Sequence, residues 1–141
     1  MEEGFEVSEE YKIPEGLYYT EQHEWARKLE DGTVVVGVTD YAQKQLHEIV
    51  YVELPEVESE AEQMAPIGAV ESVKAVSDMN APVSGAVVEV NEDLLDSPEL
   101  LNEDPYGEGW IAKIEPSDFE GDVIRLMDAE AYRKFVAEQA H

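Results

Sequence analysis

Short apolar, β-branched runs cut apart by turn residues dominate this chain, and a helical spacing of apolar positions emerges only after position 39 and near the C-terminus. Leu17-Tyr18-Tyr19 and Glu24 to Lys28 read as short strands. Asp31-Gly32 is a hairpin turn signal ahead of the run Thr33 to Val38. Thr39 or Asp40 is placed to cap a short helix through Tyr41 to Leu46. Ile49 to Leu54 predicts another strand, stopped by Pro55, and Glu56 to Glu62 predicts a solvated acidic loop. Residues leading to Lys74 read as a strand, with a return after Asn80, a turn at Ala81 to Gly85 and a further strand over Ala86 to Val90. Asn91 to Asn102, polar with scattered leucines, suits a short irregular helical segment, and Gly109 to Glu115 alternates as a late strand ended by Pro116-Ser117. Asp128 caps a final helix through Val136, with Tyr132, Phe135 and Val136 on one face and Arg133 and Lys134 late enough to suit the C-terminal dipole.

Many short strands and few helices predict a mainly β domain. At 141 residues the chain suits one core. Met1 to Lys12 hold five Glu and little apolar periodicity, and Pro14 and Gly16 mark entry to the fold. The expected division is an acidic mobile arm over 1–16 and a single domain over 17–141. No apolar run approaches the roughly 20 residues of a membrane span, and Met1-Glu2-Glu3-Gly4 does not resemble a signal peptide. Without cysteine there is neither a disulfide framework nor a thiolate site. A cytoplasmic protein is expected.

Charge narrows the partners. Thirty-four Asp and Glu against nine Lys and Arg give a formal −25, which repels nucleic acid and anionic membranes alike. Self-repulsion at this density favours conditions that screen it, so the surface suits a high-salt cytoplasm, as in a halophile.

The stretch from Gly68 to Gly85 holds the candidate chemistry. Lys74 stands between two β-prone arms with small neighbours, one of only six lysines in the chain. Rigid β-structure would hold it in water, a geometry suited to a tethered prosthetic group. Glu71-Ser72-Val73-Lys74-Ala75, then Ser77-Asp78 and Pro82-Val83-Ser84-Gly85, resembles the lipoyl-attachment segment of the glycine cleavage system H protein family. His23-Glu24-Trp25, Gly37 to Gln43, Val50 to Pro55, Glu89-Val90-Asn91, Pro98 to Asn102, Pro105-Tyr106 and Gly109-Trp110 resemble the family's other landmarks, in order.

The resemblance implies a barrel-sandwich hybrid, lipoyl-domain-like: a flattened sandwich of two antiparallel sheets, with a short helix after the first hairpin and a C-terminal helix. It implies covalent lipoate on Lys74, with Glu71, Ser72, Val73 and Ala75 as the recognition flank. The implied function is a non-catalytic carrier, because the cofactor supplies the chemistry and the protein its presentation. It would shuttle the aminomethyl group of glycine on its lipoyl-lysine arm from glycine decarboxylase (P protein) to an aminomethyltransferase (T protein). Dihydrolipoyl dehydrogenase (L protein) would reoxidise the arm, and a lipoate ligase or lipoyl transferase would attach it. Glu24 and Asp78 are candidates for a cleft that pairs with the amine of the loaded arm.

Biotin carriers flank their lysine with methionines, whereas Val73 and Ala75 stand here. A lipoyl carrier for a 2-oxoacid dehydrogenase, a lipoyl relay, and a non-catalytic acidic binding module with Lys74 unmodified are the alternatives. A small hydrolase lacks a base–nucleophile pair, since Ser72 and Lys74 have no oxyanion donor suggested nearby. His23, His47 and His141 are too scattered to suggest a metal cluster; His23 suits a structural hydrogen bond. The family commonly has glycine where His47 stands and glycines where this chain shows Glu58 and Gln63 or Met64, so this chain departs from the pattern there. Trp25 and Trp110 suit core or cleft walls.

Overall fold

Gly32 adopts φ 95° and reverses the chain at the expected turn. The flanking strands β2 (Glu24–Lys28) and β3 (Val34–Val38) pair antiparallel, with Trp25 opposite Gly37. A Cβ at position 37 would lie 2.8 Å from the Trp25 indole, so the absence of a side chain lets the ring cross the strand. The structure is a computed structural model and describes residues 11–139.

Strand β1 (Tyr18–Tyr19) precedes this hairpin. Thr39 caps helix α1 (Asp40–Leu46), its hydroxyl accepting from the Ala42 N–H. Next come β4 (Ile49–Glu53), β5 (Glu60–Ala61), β6 (Pro66–Ser72), β7 (Val76–Asn80) and β8 (Gly85–Val90). Helices α2 (Asp93–Asp96) and α3 (Leu100–Glu103) lead to β9 (Ala112–Pro116), then α4 (Phe119–Val123) and α5 (Ala129–Gln139). Two antiparallel sheets result, one of six strands in the order β1-β2-β3-β9-β8-β5 and one of three in the order β4-β6-β7.

Alternation along β2 and β3 divides the interior into two layers. Ala26, Val34 and Val36 join Ala112 and Ile114 against Ile49, Val52, Val70 and Met79 of the smaller sheet. Trp25 and Val35 take part in a second core with Ile13, Leu17, Tyr19, Tyr41 and the α5 residues Ala129, Tyr132 and Val136. The predicted face of α5 is thus the buried one, with Phe135 partly buried beside it. Asp128 caps α5 through the Ala131 N–H at 2.9 Å.

Several expectations need correction. Met1 to Glu10 and His141 lie outside the described residues, but Tyr11 to Gly16 belong with the fold rather than with a solvated arm. Ile13 is buried, Tyr11 meets Tyr41 edge to face at 4.9 Å, and the Lys12 N–H donates to Asp40 at 3.0 Å. The acidic loop over 56–62 contains β5, because Ala61 is small and apolar enough to bury against β8. The late strand starts at Ala112 rather than Gly109; the preceding residues turn instead, with the Trp110 N–H bonded to the Gly107 carbonyl. The return from the lysine begins at Val76, before Asn80. Helix α4 is additional, and its signal was Asp118, whose carboxylate accepts from the Gly121 N–H.

Candidate functional site

Strand β6 ends at Ser72 and β7 starts at Val76, leaving Val73, Lys74 and Ala75 as a tight connection. Ser72 builds it. Its Oγ accepts from the N–H groups of Lys74 (3.1 Å) and Ala75 (3.0 Å), and its hydroxyl is 3.2 Å from the Ala75 carbonyl oxygen. A serine hydroxyl mimics a turn this way without leaving its strand. Ser72 is 6% exposed and aligned with Ile49, so the apex is fixed from below by a buried residue. The Ser-Lys proximity in sequence serves backbone architecture, with the Ser72 hydroxyl accepting from the Lys74 N–H. Lys74 is exposed, and its ammonium has no ion-pair partner among the described residues.

The far ends of the lysine hairpin are also held. Gly85 adopts φ 152°, and a Cβ there would meet the Glu115 carbonyl oxygen, which explains the glycine closing Pro82 to Gly85. Asp122, buried at the end of α4, accepts from the Ser84 N–H at 2.8 Å and fixes the same turn. No short-range sequence signal links positions 84 and 122.

Glu24 does not line an open cleft. It is 1% exposed, and both carboxylate oxygens are engaged. Oε1 accepts from the Thr20 hydroxyl at 2.6 Å; Oε2 accepts from the Asn80 backbone N–H at 3.0 Å and the Asn80 side-chain amide at 3.1 Å. Strand β7 is an edge strand, and Glu24 satisfies one of its free N–H groups. Burial raises the Glu24 pKa, while the hydrogen bonds from Thr20 and Asn80 oppose that shift. Glu24 thus ties the larger sheet to the root of the lysine hairpin. Asp78, two residues before Asn80 on the same strand, is exposed. Of the two candidates, only Asp78 offers an open carboxylate, on the strand that leads away from Lys74.

Glu71 and Val73 are exposed, as is Ala75, so three of the four flanking residues face outward and Ser72 inward. His23 fills the structural role expected of it. Its Nδ1 shares a 2.8 Å hydrogen bond with the Tyr132 hydroxyl, which in turn lies 2.8 Å from Thr39 Oγ1. Burial lowers the His23 pKa to about 4. Trp25 is core, its indole N–H donating to the Pro105 carbonyl at 3.1 Å. Trp110 is half-buried beneath Lys113, whose ammonium stands 5.4 Å from the ring centre. The glycine-poor positions His47, Glu58 and Met64 all take positive φ, at 67°, 77° and 71°.

A lysine at the apex of a rigid two-strand hairpin, on a sandwich of six and three strands, is the geometry to set beside known proteins. The model of the glycine cleavage H-protein family matches residues 17–139. The chain belongs to that family. A probable glycine cleavage system H protein of Pyrococcus abyssi (strain GE5 / Orsay) is 63% identical over 127 residues, covering 90% of this chain and 94% of the relative. The glycine cleavage system H protein of Anaeromyxobacter sp. (strain K) is 56% identical over 128 residues, covering 91% and 98%. The crystal structure of a glycine cleavage system H protein from Mycobacterium marinum superposes with a TM-score of 0.80 at 36% identity, covering 92% of this chain and all of that one. H-protein family members carry lipoate attached covalently to a lysine. The β6–β7 apex fits that group: it presents an exposed primary amine, small or apolar neighbours, and a turn closed without using the lysine side chain.

Proposed function

We propose that this chain is the lipoyl carrier of a glycine cleavage system and that Lys74 bears the lipoyl group. The observation that carries the reading is the exposed Lys74 ammonium, without an ion-pair partner among the described residues, on a turn fixed by Ser72. When attached, the group supplies a redox-active dithiolane that takes up the aminomethyl fragment of glycine. The chain's own residues do the rest of the work. Ser72 and the paired arms of β6 and β7 point the lysine away from the core, and Glu24 and Asn80 anchor the hairpin to the larger sheet. Amide formation removes the Lys74 charge, while the exposed Asp78 carboxylate remains beside the arm to pair with a cationic amine.

The chain lowers no chemical barrier in this role. It keeps the arm at high local concentration as it passes from the P protein to the T protein and then to the L protein, after a lipoate ligase or lipoyl transferase has attached the arm. A cytoplasmic location fits the composition, and no helix of the described residues is long and apolar enough to cross a membrane. The formal charge of −25 argues against nucleic acid and anionic membrane partners.

Intact-mass measurement on protein from its native source is expected to show one lipoyl adduct, mapped by peptide digestion to Lys74. Lys74→Ala and Lys74→Arg are expected to fold normally, since an exposed apex contributes little packing, and to abolish glycine decarboxylation coupled to the carrier. Near-normal carrier activity in Lys74→Ala would sink the assignment.

A further inference from the structure

The smaller sheet shows an unusual amount of apolar surface on the side turned away from the core. Eight large apolar side chains are exposed among the described residues, and four of them belong to this sheet's lysine end: Val50 (45%), Tyr51 (51%), Val73 (64%) and Val76 (68%). Strand register explains the concentration. Tyr51, Glu71 and Val76 align across β4, β6 and β7 in one row, and Glu53, Ala69 and Asp78 form the parallel row on the same face. A bulge between Ile49 and Tyr51 adds Val50 to the exposed set, because the extra residue has no partner on β6. Apolar side chains gathered on one rigid face, with acids between them, mark an interaction surface more than scattered exposure would.

Charge selects what fits it. From Glu48 to Glu53 and from Pro66 to Asn80, the acids are Glu48, Glu53, Glu71 and Asp78, all exposed, and Lys74 is the only lysine or arginine. Acylation of Lys74 therefore leaves the face without a cation.

Resting on the carrier reading above, we propose that this face, built around the row Tyr51, Glu71 and Val76, is where the carrier docks. The partner surface it fits is an apolar patch rimmed by lysine and arginine. Removing the Lys74 charge strengthens the fit, so the same surface distinguishes acylated from unmodified carrier. Electrostatic complementarity of this kind acts on both encounter and partner choice, and an exposed aromatic directly beside Glu71 on an acidic face is a natural anchor.

The test is binding of the full chain to the glycine decarboxylase of the same organism, measured by surface plasmon resonance over a salt series. Tyr51→Ser is expected to weaken binding about tenfold. The double variant Glu53→Gln, Asp78→Asn is expected to weaken it severalfold and to flatten its salt dependence. Lys74→Gln, which mimics the lost charge, is expected to bind more tightly than unmodified Lys74. The control Glu130→Gln, Glu138→Gln on α5 is expected to change little; a loss equal to that of the Glu53/Asp78 pair would reduce the effect to net charge and overturn the proposal. A concentration-dependent dimer that Tyr51→Ser dissolves would overturn it in favour of a second copy of this chain. Lipoylated Tyr51→Ser that binds as tightly as the wild type would overturn the surface and leave the carrier reading standing. A wild-type chain that never acquires the lipoyl adduct would overturn both.

Discussion

Glu24 shows how much a single residue can be asked to hold. Its carboxylate is buried, yet it receives three hydrogen bonds, two of them from Asn80 at the base of the lysine hairpin. Glu24→Ala would leave the Thr20 hydroxyl and both Asn80 donors without an acceptor. It is expected to cost about 2–4 kcal/mol in a urea titration. Glu24→Gln, which keeps one acceptor, should cost clearly less. Equal losses in the two would mean the hydrogen bonds are not what matters. The raised pKa of Glu24 means its ionised form costs stability above the ordinary carboxylate range, a cost relieved as pH falls through the raised value. His23 acts in the opposite sense on acidification. Its folded-state pKa of about 4 lies below the usual 6.5, so the unfolded chain binds the extra proton between those values. The stability His23 provides is complete above pH 6.5 and drains away as pH falls toward 4. His23→Asn, whose short side chain tolerates the positive φ of 74°, is expected to show a shallower loss of stability across that window. Parallel pH–stability curves for variant and wild type would remove His23 as the source.

At the scale of elements, three connections carry side chains where glycine is the easier residue. His47 closes α1 at φ 67°, ψ −146°, and Glu58 and Met64 also have positive φ. L-residues lose about 1–3 kcal/mol in such sparsely populated positive-φ backbone, more than the extra chain entropy glycine loses on folding. His47→Gly is thus expected to raise stability by about 1 kcal/mol, and His47→Ala to give no such gain; a destabilised glycine variant would show that the histidine side chain contributes something the geometry does not reveal. Local chemistry also decides which elements were legible in advance. The β2–β3 hairpin, the Thr39 cap, β4 and α5 could be read because turn, capping and apolar signals lie within a few residues of what they control. The two-residue β5 and the exact start of β9 could not, since only long-range pairing defines them, β5 with β8 and β9 with both β3 and β8. The lysine apex was visible as a motif. Its construction was not, because a serine that folds back on a turn looks in sequence like any other strand residue. The Glu24–Asn80 link spans 56 positions, and the burial that turns Glu24 from a cleft candidate into a tie is set by packing alone.

For the molecule as a whole, the acidic surface remains largely unneutralised. The ion pairs of the described residues engage Lys44, Lys113, Arg125 and Arg133, few against thirty-four acids. Screening at molar salt should relieve the repulsion between the rest. The melting temperature is expected to rise from low salt to molar potassium chloride by more than for a near-neutral carrier of similar size. A parallel series in potassium sulfate separates screening from strengthened apolar burial, which favours sulfate. A flat melting temperature in chloride would remove the high-salt proposal without touching the carrier assignment. The order of layers has a different consequence. The segment entering through Ile13 and Leu17 and the closing helix α5 both cover the side of the six-stranded sheet opposite the lysine-bearing sheet. Arg133 joins them, donating to the Ile13 carbonyl at 3.1 Å and to the Glu15 carboxylate at 2.7 Å. Both ends of the described chain are therefore gathered at the back of the molecule. A tether joined at either end of the described residues would lie behind the six-stranded sheet and leave Lys74 turned outward, a mounting plate at the back of the molecule.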